Sequence, residues 1–333
     1  MPLVRAEAAP SSTTTSAELP TTTTLPPATA APAPVPPPTT ATTRARVVKR
    51  PAVPAAARLA PVTAALTGGV TPYKGLGTWA DVYDWSDSYT NNKPGMGVGD
   101  IDRMAADGVQ TLYIQSAFWD APTDIVDRDL LLTLINRAHQ RGIQVIGWYL
   151  PTLDDLDRDL ARVVAVAHLP VDGVAVDIES RKVDDVAERN RRLLALSRAI
   201  RDALPGRTIG GIVLPPVVME VVNPNYWPNF PWTGIAPFYD VWLPMSYWTN
   251  RTQASGYRDG YTYTAENIVR LRRDLGLPQA IVHTIGGIGD KSTTGDVDSM
   301  LRGAVEHAAI GGSLYDWRTT RGDLWPHLRG FRT

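Results

Sequence analysis

The stretch Val171-Asp172-Gly173-Val174-Ala175-Val176-Asp177-Ile178-Glu179-Ser180 runs a short apolar segment into two carboxylates, and a long charged segment follows it. Its length and β-branched residues read as a buried strand. Successive strand residues point to opposite faces. Val174 and Val176 therefore share one side, while Ala175, Asp177 and Glu179 share the other. Taken alone, a D-x-E at a strand end reads equally well as a pair of acids that cap the next helix. The rest of the chain decides between the two.

Similar runs recur on both sides of this stretch. Before it lie β-like runs at 75–79, 110–115 and 144–149, with helical patterns near 100–107 and over 127–141 and 153–167. After it come a helix over 183–204, closed by Pro205-Gly206, and strands at 208–214, 240–248, 280–284 and 313–317. Helices at 265–275 and 297–309 separate the last three, and a short helix near Leu324 ends the chain. A Pro-rich, aromatic loop at 215–237, containing Trp227 and Trp232, replaces a full helix. Eight strands alternating with helices over about 260 residues match an α/β fold of the (β/α)8 (TIM) barrel type. The alternative is an open doubly wound sheet, which carries a Gly-rich phosphate turn after its first strand. Here Gly75-x-Gly77 sits inside the strand and lacks a third glycine, so it reads as close packing. Gly286-Gly287-Ile288-Gly289 reads as a turn.

The composition breaks near residue 69. Residues 1–69 contain no Phe, Trp or Tyr, whereas the remainder holds all 26. Positions 11–43 are almost wholly Thr, Pro, Ala and Ser, and a short basic cluster follows at 44–50. Such a segment buries too little apolar surface to offset its ordering entropy, and reads as a disordered, solvated stalk. Thr/Pro stalks suit secreted or cell-surface proteins, although Met1-Pro2-Leu3-Val4-Arg5 lacks the basic-then-apolar pattern of a signal peptide. The domain reading is a stalk over 1–69 and a barrel over 70–333. Limited proteolysis is expected to trim the chain to a stable core that starts between about 45 and 72. A stable fragment starting near 170 would indicate two domains instead.

Charge and residue usage exclude several classes. Residues 70–333 carry 27 Lys+Arg and 32 Asp+Glu, a net of −5, which is no footprint for nucleic acid. There is no cysteine, and the five histidines show no metal spacing, so no cofactor or metal is expected. No run of about 18 apolar residues offers a membrane span. A monomer is the expected state.

The C-terminal ends of the strands carry the candidate chemistry, because active sites of such barrels are built there. They present Trp79 and Asp81, Gln115, Trp148 and Tyr149, Asp177 and Glu179, Met245 and Tyr247, His283, and Tyr315 with Asp316 and Trp317. The pairs Asp177/Glu179, Met245/Tyr247 and Tyr315/Trp317 fall at i, i+2 on strands four, six and eight, so each pair shares a direction. Glu179, Tyr247 and Trp317 then converge on one pocket, with Trp248 beside them. Aromatic rings stack on the apolar faces of sugars, and an acid among them can protonate a glycosidic oxygen. Any single Trp or Tyr of this set reads equally as core filling.

These residues resemble family 18 glycoside hydrolases, the chitinases and their relatives. Asp172-Gly173-Val174-Ala175-Val176-Asp177-Ile178-Glu179 is similar to their fourth-strand signature D-G-x-D-x-D-x-E, and Met245-Ser246-Tyr247 to their sixth-strand M-x-Y. Trp317 matches the tryptophan that floors their sugar site. The resemblance implies a barrel acting on an N-acetylhexosamine polymer such as chitin or peptidoglycan. It makes Glu179 the acid, Asp177 the residue that holds the substrate acetamido group, and Tyr247 a hydrogen-bond partner of that group. The acetamido oxygen would itself be the nucleophile. Three features depart from the pattern: Ala175 replaces an aspartate, Trp248 stands where Asp usually follows the tyrosine, and the third strand lacks S-x-G-G. Family 25 lysozymes also place a D-x-E on this strand. A degenerate barrel that binds glycan without cutting it, and a structural surface protein, are the competing readings.

Overall fold

The computed structural model of the protein describes residues 69–333. The Thr/Pro-rich segment and the basic cluster at 44–50 lie outside the described residues. Eight parallel strands form one sheet: β1 (Gly75–Ala80), β2 (Thr111–Gln115), β3 (Gln144–Tyr149), β4 (Gly173–Ile178), β5 (Ile209–Val213), β6 (Val241–Pro244), β7 (His283–Ile288) and β8 (Gly311–Tyr315). Their order is β6-β5-β4-β3-β2-β1-β8-β7, and parallel bridges Trp242–Val282 and Met245–Ile285 join β6 to β7. The sheet thus closes into the expected (β/α)8 barrel.

Helices follow most strands, at Val98–Asp107, Arg128–Gln140, Leu156–Ala167, Val186–Ala203, Gly260–Leu275 and Thr294–Glu306. Acidic caps start three of them: the carboxylates of Asp155, Asp185 and Asp259 accept from the N–H groups of Arg158, Glu188 and Thr262. In place of a full helix, the loop after β5 holds a π-type turn, Val218–Val222, a four-residue helix, Trp232–Ile235, and a short 3-10 turn, Ala236–Phe238. Among the described residues no helix is long and apolar enough to cross a membrane.

The barrel interior is filled from the bottom. Tyr73 is fully buried there, and its hydroxyl donates to the carbonyls of Val174 (2.7 Å) and Thr208 (3.1 Å). Above it, Tyr113 and His283 pack against the space left by Gly77, where a Cβ would come within 2.8 Å of the Tyr113 ring. His283 bonds the carbonyl of Tyr73 (2.9 Å) and Ser313 Oγ (3.1 Å), and burial pulls its pKa down to about 4. It is a neutral packing residue at the first position of β7.

Two strands begin elsewhere than the sequence suggests. β7 starts three residues late and runs through Gly286 and Gly287. The indole of Trp248 lies against both glycines, and a Cβ on Gly286 would come within 2.8 Å of it. The Gly-rich run is therefore mostly strand, kept bare for a tryptophan. β8 starts at Gly311, where a Cβ would stand 2.4 Å from the carbonyl of Gly75.

Candidate active site

Alternation along the strands sends Trp79, Trp148, Asp177 and Met245 into the barrel. They reach a pocket of about 330 Å³ at the C-terminal mouth. Asp177, paired across to Ile212 on β5, is 7% exposed. Glu179, one step past the end of β4, is half-buried. Asp81, Gln115 and Tyr247 complete the set of expected residues that line this pocket. Trp79 stacks on Tyr113 with ring centroids 4.3 Å apart, meets Trp148 edge-on at 6.1 Å, and donates from Nε1 to Ser313 Oγ at 2.8 Å. The aromatic floor is thus rigid and half-assembled before any ligand arrives.

The electrostatics of the pocket favour neutral acids. Burial pushes the Asp177 carboxyl well up, and the neighbouring Glu179 pushes it further. Burial also raises Glu179. Two acids in one dry corner do not both ionise cheaply. Tyr247 is raised well above its usual value, first by burial and then by Asp177 and Glu179, so its phenol stays protonated. Asp177 Oδ1 and Trp148 Nε1 are buried and make no hydrogen bond. Orphaned polar atoms of this kind are uncommon and costly, and here they sit at the pocket floor. Ala175, one step below Asp177 on the same face, is fully buried and offers no second carboxyl.

Four expected residues lie elsewhere. Tyr149 alternates with Trp148, so it points outward; its hydroxyl donates to Asp159 at 2.6 Å. Trp248 is wholly buried against β7. Trp317 follows a turn of the chain after β8, packs on Trp325 at 5.1 Å, and donates from Nε1 to Asp100 at 2.9 Å. Asp316 falls beside Asp81 and Asp84, where carboxylate oxygens lie within 4.8 Å of one another. Each of these acids already has partners. Asp81 accepts from the Tyr83 N–H and the Tyr315 hydroxyl, Asp84 from the Asp81 N–H, and Asp316 from the Thr319 N–H. Burial, then Asp81 and Asp316, lift Asp84 to about 7. The cluster is a hydrogen-bonded buttress that holds Asp81 at the pocket edge.

Tyr315, the last residue of β8 and one of the strand-end residues the sequence singles out, lines the pocket as well. Sequence reasoning passed over Tyr83, Phe118 and Asn250, which reach the pocket from loops, and nothing in the pattern marks them. A larger depression of about 760 Å³ lies between the loops that follow β1 and β2. Its acids are already engaged: Asp127 accepts from Ser86 and Ser88, and Asp120 from the Tyr89 hydroxyl.

No family model matches the chain, and no curated protein matches it by sequence. Solved structures do. A family 18 (GH18) chitinase from Cycas revoluta in complex with (GlcNAc)3 is similar with a TM-score of 0.57 at 10% identity, over 77% of this chain and 98% of that one. The spore cortex-lytic enzyme SleL of Bacillus cereus gives 0.54 at 10% identity, over 78% of this chain and 74% of that one. A chitinase from Chromobacterium violaceum gives 0.51 at 12% identity, over 78% and 99%. At these identities the likeness establishes the shared fold.

Proposed function

We propose that the protein is a glycoside hydrolase acting on a polysaccharide that contains N-acetylhexosamine, with Glu179 as its general acid. One observation carries this reading. Asp177, Glu179 and Tyr247 open onto a single pocket at the catalytic end of the barrel, over a floor of Trp79 and Trp148. An apolar ring with acids beside it suits a sugar better than a phosphate or a metal. Glu179, raised by burial, has a proton to give to the glycosidic oxygen. Asp177, whose buried Oδ1 has no hydrogen-bond partner, orients the acetamido group, and Tyr247 hydrogen-bonds the same group. The acetamido oxygen then attacks the anomeric carbon, so no second protein carboxylate is required. The sugar-polymer substrate and the Thr/Pro-rich segment together favour a secreted or surface-held monomer.

Ala175 favours a second reading, in which the barrel binds glycan without cutting it. A carboxyl at that position would share a proton with Asp177 as it turns, and here only a methyl group stands there. Tryptophan fluorescence, titrated with chito-oligosaccharides and peptidoglycan fragments and followed by product analysis, separates the readings. Trp79 and Trp148 are expected to report binding, and shortened oligosaccharides to accumulate. Binding without products would favour the non-catalytic barrel. Silence towards every glycan, with the fold intact, would favour a structural surface protein.

A further inference from the structure

A second chamber, of about 250 Å³, adjoins the first and shares Glu179, Met245, Tyr247 and Asn250 with it. It reaches out from the general acid towards Tyr226, Arg251 and Tyr263, under the loop where a full helix is missing after β5. Arg251 follows the short turn Trp248–Asn250. Its Nε is buried and makes no hydrogen bond, and no described carboxylate, Glu179 included, pairs with its guanidinium. Arg270 and Arg273 share Glu220, and Arg258 meets Asp296, whereas Arg189, whose buried Nε also lacks a hydrogen bond, has the Trp227 ring beneath its guanidinium at 4.4 Å. A second cation stands at the chamber rim, where the Arg181 guanidinium lies 4.8 Å from the centre of the Tyr226 ring.

A half-buried guanidinium with no acceptor is expensive unless a ligand supplies one. Its planar fork of donors matches a carboxylate, in two parallel hydrogen bonds. Neutral chitin has no such group. The chamber begins at Glu179, so its occupant is a sugar next to the cleaved bond.

Resting on the glycosidase reading above, we infer that Arg251 selects a glycan whose sugar beside the scissile bond carries a free carboxylate. That chemistry is found on an O-lactyl N-acetylhexosamine and on a hexuronic acid. The lactyl group meets the requirement only when its carboxyl is not amide-linked to a peptide. The carboxylate sits at Arg251, across the chamber from Glu179, where the neutral form of that acid spares it repulsion.

Three kinds of strand of equal length test this by fluorescence titration: chito-oligosaccharides, peptide-free peptidoglycan strands, and strands alternating hexuronate with N-acetylhexosamine. Each acidic strand is also used as its methylamide. The parent is expected to bind one acidic strand about 10–100-fold tighter than its amide, the range of a charged hydrogen-bond pair. Arg251→Gln should erase that preference by weakening the acid form alone, and Arg251→Lys should restore part of it. Whichever acid shows the effect identifies the source of the carboxylate. Equal affinity for acid and amide, or a loss in Arg251→Gln that is the same for both, overturns the inference. Binding to no glycan overturns it together with the hydrolase reading. Arg251-dependent affinity without cleavage of any strand removes the hydrolase reading alone.

Discussion

Replacing Glu179 by Gln should lower turnover of a cleaved glycan by about 10²–10⁴-fold, the usual weight of a general acid. Affinity and the folded state should survive. Gln keeps the volume of Glu and its place at the end of β4, where Glu179 makes no hydrogen bond within the described structure that the amide would lose. Burial raises Glu179, so the native state already favours its neutral form, and a neutral amide does not destabilise the barrel. The loss should shrink on an aryl glycoside with an acidic phenol, because that leaving group departs without a proton. Comparing kcat on the aryl glycoside and on the natural polymer checks this. Equal losses on both would mean that Glu179 acts on the shape of the pocket. Wild-type activity in the variant would reduce the fourth-strand motif to a strand end that merely precedes a helix.

The barrel was legible in the sequence because each strand is a short apolar run closed by a turn, with a helix-period stretch behind most of them. The places where strands start were less legible, and glycine is the reason. Gly286, Gly287, Gly311 and Gly312 read as breaks, yet all four lie in strands. Each is bare because something presses on it: Trp248 on β7, the Gly75 backbone and the Phe331 ring on β8. Such pressures come from parts of the chain far away in sequence. The same limit governed the site. Counting by twos along β4 brought Asp177 and Glu179 to one pocket, and Met245 and Tyr247 reach it too, although β6 itself ends at Pro244. On β8 the count ran past the end of the strand at Tyr315, and the chain had turned before Trp317. Tyr149 directly follows the inward Trp148 on β3, so alternation sends it out of the barrel, while Trp248 opens the short turn Trp248–Asn250 beyond the end of β6, where strand parity no longer applies. Arg251 carries no sequence signal at all, since only the chamber around it shows that its charge is unanswered.

Replacing Asp177 by Asn should move activity and stability in opposite directions. On the acetamido route, Asp177 steadies the positive charge that develops as the acetamido oxygen attacks. Removing one such preorganised group typically lowers kcat by about 10²–10³-fold. Stability follows from the raised pKa. Burial first, and Glu179 second, make the folded state hold the Asp177 proton more tightly than the unfolded chain does. Between the unfolded pKa of about 3.9 and the raised native one, the folded state binds more protons than the unfolded state. Stability therefore falls as pH rises through that window, and stays lower above it. Asn ionises at neither end. The variant should match the parent near pH 3 and melt several degrees higher at pH 7, which thermal melts across this range would read out. A gap of the same size at every pH would show that packing, and not ionisation, sets the difference. Asp81→Asn is the control for the chemistry. Asp81 also faces the pocket, held by Tyr315 and Asp84, and is the carboxylate placed to act if the substrate lacks an acetamido group. A large loss in Asp81→Asn with Asp177→Asn still active would move the second carboxylate from β4 to the end of β1, and the substrate with it.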